Sequence, residues 1–294
     1  MFGTRALFGT AALSFILAPV FAQHPMSQEL PDPEKVEVPG TGVTVLMLDL
    51  GGRPVVNVLL NGKGPYPFIL DTGATVVAVD PDLQAELALP PQPDAPPGIS
   101  RLDQLGVGGA ILQGVVVVPA PHMPGLVGDV TPRGILGASF FPGYLLTLDY
   151  PGRKILIRKD ELPSADHRRV FQYDAGDFIP RISVMIAGKE FRPHVDSGSP
   201  AGLTLPLNSE ADLPLTAKPV QKGRARTPSG EYPVFSAELS EPVQIGEYTL
   251  SSRRISLSDV APGPEPPVGN IGFEVLQEFV VTLDAKNHRI QFTR

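Results

Sequence analysis

Short apolar segments separated by glycine- and proline-containing turns dominate the hydrophobic pattern of the chain. Residues 43–50, 54–60 and 180–186 are three such segments, and a glycine follows each of them within two residues. Segments of this length that are rich in Val, Ile and Leu and bounded by turn residues are typical of β-strands. The pattern therefore predicts an all-β fold.

Helical periodicity is scarce along the chain. Residues 80–87 are the best candidate for a short helix, with Asp80 as the N-cap and Pro81 in the first turn. The 34 prolines and 30 glycines among 294 residues are many, but they are interspersed with apolar runs. This composition indicates short strands joined by tight turns, with few helices, and not a disordered chain.

An internal repeat defines the organisation of the chain. Residues 54–63 align with residues 180–189 at an offset of 126, and residues 146–149 align with residues 281–284 at an offset of 135. A repeat of this length implies two copies of one supersecondary unit. The sequence therefore predicts two homologous lobes related by a pseudo-two-fold axis.

The domain boundaries follow from the repeat and from the composition between its copies. Residues 159–177 are charged and lack long apolar runs, which is typical of a linker. The predicted order is a signal peptide (1–22), an N-terminal arm (23–42), lobe one (43–158), the linker (159–177) and lobe two (178–294).

The first 22 residues have the features of a secretory signal peptide. Arg5 precedes an apolar run, and Pro19 and small residues up to Ala22 complete the pattern. The run is too short to span a bilayer comfortably, so we expect cleavage and export to the periplasm or medium, without a membrane anchor. The chain has no cysteine, which excludes disulfides, thiol nucleophiles and a lipid-modified N-terminal cysteine.

Two acidic residues stand where buried strands are expected to end. Asp71 follows the apolar run Phe68-Ile69-Leu70, and 125 residues later Asp196 follows Val195. A carboxylate at such a position loses hydration, which is costly unless the group is hydrogen-bonded, paired or functional. The residues that follow give Asp-Thr-Gly in the first copy and Asp-Ser-Gly in the second.

The paired motifs resemble those of the aspartic proteases, the superfamily of retropepsin-like and pepsin-like enzymes. The resemblance covers almost the whole chain after the signal peptide, and it implies two retropepsin-like β-barrel lobes. It also implies that Asp71 and Asp196 are catalytic and meet in a cleft between the lobes. Two carboxylates at hydrogen-bonding distance share a proton and provide one acid and one base without a metal or cofactor.

The resemblance assigns supporting roles to the neighbours of the dyad. The hydroxyls of Thr72 and Ser197 would cross to the opposite loop, and Gly73 and Gly198 would let backbone amides approach the carboxylates. An apolar-apolar-glycine segment closes each lobe and would pack behind the aspartate loops; its members are Leu136 and Gly137 in lobe one and Ile271 and Gly272 in lobe two. Asn270 departs from the apolar residue expected at that position.

Hairpin flaps that cover the substrate are expected between each aspartate and its closing glycine. By position the candidates are residues 99–109 and residues 224–232, and the residues singled out in them are Gly106, Gly108, Ser229 and Gly230. The flap tyrosine of pepsin-like enzymes has no counterpart here. The spacing of 66 residues from Asp71 to Gly137 is closer to the retroviral pattern.

Other candidate sites have simpler interpretations. The net charge of −7 argues against nucleic acid as a partner, and the five scattered histidines show no metal-ligand spacing. His194, two residues before Asp196, is interpreted as a half-buried structural histidine, with a perturbing effect on the dyad as the alternative. Asp149 and Asp284 occupy equivalent positions beside turns, where we expect turn or surface residues.

The sequence thus predicts an exported aspartic endopeptidase that acts on peptides or proteins as a monomer. Three alternatives stay open. The fold could serve a catalytically silent peptide-binding protein, for which Pro200, Asn270 and the missing tyrosine argue; it could serve an enzyme with a single partner protein; or each lobe could pair with its own copy in a homodimer.

Overall fold

The computed structural model describes residues 30–49, 51–120, 130–177, 179–227, 230–260 and 267–294. The predicted signal peptide and the first part of the arm lie outside the described residues. Strands make up 47% of the structure and helices 8%, which confirms the predicted all-β class. Among the described residues, no helix is long and apolar enough to cross a membrane.

The strands of the N-terminal half occur in this order: β1 (Lys35–Glu37), β2 (Gly42–Leu46), β3 (Leu48–Asp49), β4 (Pro54–Leu60), β5 (Lys63–Asp71), β6 (Val77–Val79), β7 (Ser100–Val107), β8 (Ala110–Pro119), β9 (Gly134–Gly137), β10 (Leu145–Asp149) and β11 (Lys154–Arg158). Helix α1 (Pro81–Glu86) follows β6, and a 3₁₀ helix spans Ala138–Phe140.

The strands of the C-terminal half are β12 (Val170–Gln172), β13 (Val184–Ile186), β14 (Lys189–Phe191), β15 (His194–Val195), β16 (Leu203–Leu205), β17 (Val220–Thr227), β18 (Gly230–Glu238), β19 (Val243–Ile245), β20 (Tyr248–Thr249), β21 (Arg254–Leu257), β22 (Asn270–Ile271), β23 (Val280–Asp284) and β24 (Arg289–Thr293). A 3₁₀ helix spans Leu207–Asp212, and helix α2 (Phe273–Leu276) follows β22.

Six strands of the N-terminal half form a closed barrel. The order of the strands around the barrel is β4, β5, β9, β6, β8 and β7. Strand β7 pairs with β4, which closes the barrel. Strand β4 shows how the pattern builds the interior, because its alternate residues Val56, Val58 and Leu60 are fully buried. The barrel fixes β5 and β9 side by side and in parallel, so the end of β5 has a defined position.

The C-terminal half contains two sheets. One has the order β15-β22-β16-β21-β18-β17, and the other has the order β14-β13-β19-β20. In the first sheet β15 and β22 pair in parallel, as β5 and β9 do in the other half. The two aspartate-bearing loops therefore follow equivalent strand pairs.

A fourth sheet joins the two halves. Its order is β12-β24-β23-β10-β11-β2, and its central pair, β10 with β23, brings together equivalent strands of the predicted repeat. Thr147 pairs with its own repeat equivalent, Thr282, and their Oγ1 atoms lie 3.0 Å apart in a hydrogen bond. This is the register that a local two-fold axis through the pair requires.

Segments predicted to be peripheral contribute strands. Part of the N-terminal arm forms β1, which pairs with β8, and part of the linker forms β12, which pairs with β24. Helix α1 confirms the predicted helix, and the Asp80 side chain accepts a hydrogen bond from the Leu83 amide at 3.1 Å as its N-cap.

Candidate active site

Strand β5 places Asp71 in the interior of the molecule. Asp71 ends the strand, pairs with Gly137 of β9 and is only 2% exposed. A methyl group on Gly137 would lie 2.6 Å from the Ala74 carbonyl oxygen, so the close approach of the loop requires a glycine there. Leu136, beside it, is fully buried in the core.

Asp196 has the equivalent position after β15. Its amide donates to the Ile271 carbonyl of β22 at 3.0 Å, and its side chain is 4% exposed. Gly272 is as tightly packed as Gly137, because a methyl group there would lie 2.7 Å from the Ser199 carbonyl oxygen. The closing segments thus lie directly against both aspartate loops.

Four hydrogen bonds lock the two loops together. The Thr72 hydroxyl donates to the Val195 carbonyl at 2.7 Å and accepts from the Ser197 amide at 2.9 Å. The Ser197 hydroxyl donates to the Leu70 carbonyl at 2.8 Å and accepts from the Thr72 amide at 2.9 Å. The arrangement is symmetric, and it matches the crossing that the resemblance implies for these hydroxyls.

The locked loops bring the two carboxyl groups together. A methyl group on Gly73 would lie 2.9 Å from Asp196 Oδ1 and 3.1 Å from Asp71 Oδ1, so one point touches both side chains. On the other side, a methyl group on Gly198 would lie 2.6 Å from Asp71 Cγ. Both glycines are therefore needed for the approach, as the sequence predicts.

The environment favours a shared proton. Burial raises the pKa of Asp71 well above its ordinary value, and the charge of Asp196 raises it further, against hydrogen bonds from the amides of Gly73 (2.7 Å) and Gly198 (3.2 Å). Burial also raises the pKa of Asp196. Two such groups titrate as a pair, so one is protonated while the other is ionised.

Arg53 is a site residue that sequence analysis missed. The side chain is 2% exposed, and its Nε donates to the Gly198 carbonyl at 2.8 Å. Its positive charge lowers the pKa of both aspartates, whereas burial lowers the pKa of the guanidinium itself. The repeat offers a signal, because the residue that aligns with Arg53 at the offset of 126 is the apolar Ile179.

Asn270 also contacts the dyad. The sequence identifies it only as a departure from the apolar residue expected there, but its Nδ2 donates to Asp196 Oδ2 at 3.0 Å. This hydrogen bond lowers the pKa of Asp196 against the effect of burial. Asn270 is therefore part of the site, and the absence of an apolar residue at this position does not argue against a functional dyad.

The residues expected in the flap of the first half lie in the barrel. Gly106 and Gly108 belong to the β7–β8 hairpin, which is part of the closed barrel, and the turn packs on β2: a methyl group on Gly108 would overlap the Val45 side chain. The cause is the pairing of β7 with β4, which draws the hairpin into the barrel. In the second half, Ser229 lies outside the described residues, and Gly230 begins β18 of a long two-stranded hairpin with β17.

Pro200 does not interrupt the second aspartate loop. The amides on either side of it are both used, since Ser199 N donates to Asp196 Oδ1 at 3.0 Å and Ala201 N donates to the Ser199 hydroxyl at 3.4 Å.

His194 accepts a hydrogen bond at Nε2 from Arg181 Nε at 3.0 Å, and burial, followed by the charge of Arg181, lowers its pKa to about 4. The contact agrees with the interpretation of a half-buried structural histidine.

The paired aspartates beside the hairpin turns differ from each other. Asp149 is a turn residue that accepts from the Gly152 amide at 2.7 Å, as expected. Asp284 is also a turn residue, because it accepts from the Asn287 amide at 3.2 Å, but it is not on the surface: it is 2% exposed and accepts from the Leu162 amide at 3.0 Å. Its burial arises because the linker passes over it, which the repeat alone does not reveal.

One comparison with known proteins gives a match. Residues 56–140 match the family model described as aspartyl protease, and the matched segment contains the first motif and its closing glycine. The match supports the resemblance of this segment to the aspartic protease superfamily, and it supports a proteolytic function in general. No curated protein matches the chain. No group of three or more potential ligand side chains that could hold a metal ion is found in the described part of the chain.

Proposed function

We propose that the protein is an exported aspartic endopeptidase that hydrolyses peptide bonds with a water molecule activated between Asp71 and Asp196. The observation that carries the proposal is the cross-linked pair of loops, which holds two buried carboxyl groups against each other. Burying two carboxyl groups side by side is costly, and a purely structural role offers no compensation for that cost.

The arrangement supplies both proton-transfer roles of the reaction. The ionised carboxylate takes a proton from the water as the water oxygen bonds to the peptide carbonyl carbon, and the protonated carboxyl gives its proton to the carbonyl oxygen. In the second step the C–N bond breaks, the first aspartate gives its proton to the leaving nitrogen, and the second recovers a proton from a hydroxyl of the intermediate. Both aspartates return to their starting states, and the mechanism uses no cofactor.

The proposal also includes the location of the protein outside the cytoplasm and its oligomeric state. The pattern of residues 1–22 supports export, with a peptide or protein substrate outside the cytoplasm. The two motifs in one chain, joined by the sheet through β10 and β23, support a monomer as the working unit.

A peptide-binding protein with little or no turnover is the second candidate. The packing of the β7–β8 turn against Val45 favours it, because a barrel hairpin held in this way does not serve as a mobile cover for substrate. Such a protein would bind extended peptides in the cleft without cleaving them, or would cleave a single partner protein.

The test is cleavage of a diverse peptide library by residues 23–294 between pH 3 and pH 8. Asp71→Asn and Asp196→Asn are compared with Asp149→Asn, a matched control in a turn outside the site. We expect the parent and the control to cleave and both dyad variants to lose at least a thousandfold in kcat, while their melting temperatures show that they are folded. A folded parent that cleaves nothing would refute the endopeptidase.

A binding measurement separates the two candidates. The ligand is a pool of peptides in which a secondary alcohol replaces the scissile carbonyl. The proposed enzyme should bind members of the pool, and each dyad variant should bind them more weakly, because the alcohol sits where the carboxyl groups share their proton. Binding in the absence of cleavage would establish the second candidate instead.

A further inference from the structure

The strand pairs that carry the two aspartates are not equivalent in chemistry. In the first half Ile69 of β5 pairs with Ile135 of β9, and both side chains are buried in the core. At the equivalent position of the second half, His194 of β15 pairs with Asn270 of β22. A symmetric fold therefore has an apolar pair beside one aspartate and a polar pair beside the other.

The polar pair reaches the dyad through Asn270. Backbone amides support both aspartates: those of Gly73 and Gly198 donate to Asp71 Oδ1, that of Ser199 donates to Asp196 Oδ1, and the Gly198 amide also lowers the pKa of Asp196. Asp196 Oδ2 has an additional side-chain donor, Asn270 Nδ2 at 3.0 Å. Ile135, the counterpart of Asn270, has no polar atom with which to reach Asp71.

An amide N–H donor favours the ionised form of the carboxyl group that it contacts. The hydrogen bond is stronger to a carboxylate than to a neutral acid, so it biases the pair toward the state in which its own partner is charged. The other charged or titratable groups near the dyad do not oppose this bias. Arg53 lowers the pKa of both aspartates and interacts more strongly with Asp196 than with Asp71, and His194 is neutral above about pH 4 with its Nε2 occupied by Arg181.

We propose that Asn270 is a positioning residue that divides the roles of the dyad, so that Asp196 is the base that activates water and Asp71 is the acid that protonates the carbonyl. The assignment rests on the function proposed above. It is consistent with the direction of the shifts, since the Asn270 hydrogen bond lowers the pKa of Asp196 and the charge of Asp196 raises that of Asp71.

The first test does not depend on activity. Aspartate labelled with ¹³C at the carboxyl carbon is titrated by NMR in Asp71→Asn, where Asp196 is the remaining dyad member, with and without Asn270→Ile. We expect the second substitution to raise the pKa of Asp196 by about 1 to 2 pH units, the equivalent of one hydrogen bond to a charged group. In Asp196→Asn, the same substitution should leave the pKa of Asp71 nearly unchanged.

Asn270→Ile reproduces the residue found at position 135, and Asn270→Ser, which is too short to reach Asp196, repeats the experiment if the isoleucine variant does not fold. Equal shifts at both aspartates, or no shift at Asp196, would overturn the assignment. Because the titration needs no substrate, these outcomes are distinct from a failure of the proposed endopeptidase.

The second test uses the active enzyme. In Asn270→Ile and Asn270→Ser, the acidic limb of the kcat/KM profile should move to higher pH by about 1 to 2 units, and kcat should fall while KM changes little. A change in KM alone, with an unmoved pH profile, would show that Asn270 only shapes the cleft and would refute the positioning role.

Discussion

His194 should make the protein less stable in acid by a predictable amount. The imidazole accepts a hydrogen bond from Arg181 at Nε2, and this atom can accept only while it is deprotonated. Its pKa is lowered from 6.5 to about 4 in the folded protein. Between these two values the unfolded chain binds a proton that the folded protein does not, so the free energy of unfolding falls as the pH falls.

The size of the effect follows from the shift. About 2.5 pH units at 1.36 kcal/mol each correspond to about 3 kcal/mol, present at pH 7 and lost by about pH 4. Roughly half of this should already be lost at pH 5.5. For a domain whose total stability is on the order of 5 to 15 kcal/mol, the loss is large.

The assay compares the parent with His194→Gln, whose side-chain oxygen can still accept from Arg181 but does not titrate. Urea unfolding is measured at pH 7, 5.5 and 4, with Asp71→Asn in both proteins to prevent self-digestion. The difference between the two proteins removes the contributions of all other groups. We expect the parent to lose about 3 kcal/mol more than the variant, and parallel losses in the two proteins would refute the reasoning.

Two further predictions concern the loops and the buried cation. Ser197→Ala should lower the free energy of unfolding by about 2 to 4 kcal/mol, because it leaves the Leu70 carbonyl and the Thr72 amide without their partner. Thr204→Val is the matched control, since the buried Thr204 hydroxyl has no hydrogen-bond partner among the described residues. Calorimetry should find the control substitution neutral or stabilising. Arg53→Met removes a positive charge that lowers the pKa of both aspartates, so the acidic limb of the activity profile should move upward by up to about one pH unit. An unmoved limb would show that the charge of Arg53 does not act on the dyad.

The sequence was sufficient for the parts of the site that lie within a few residues of each aspartate. Asp71 with Gly73, and Asp196 with Gly198, are contiguous motifs whose chemistry can be read in order along the chain. The closing glycines could be placed because the repeat supplies a second copy of each segment.

Contacts across the chain were the part that could not be predicted. Arg53 reaches a carbonyl 145 residues away, and Asn270 reaches a carboxylate 74 residues away. No local sequence pattern predicts such contacts. In both cases, however, a polar residue aligns with an apolar residue in the other copy of the repeat, and this difference was a usable signal. The position of the β7–β8 hairpin could not be predicted for a similar reason, because it depends on the pairing of β7 with the distant strand β4.

The sheet shared by the two halves bears on what happens if the chain is cut between them. Strands β10 and β23 pair along five residues each, and the hydroxyl-locked loops add a second non-covalent seam between the halves. The connection that follows β11 is charged and largely exposed around His167 and Arg168, where a protease could cut it. If the chain is cut there, we expect the sheet contacts and the loop hydrogen bonds to hold the two parts together with both aspartates in place, because none of these contacts uses the cut bond.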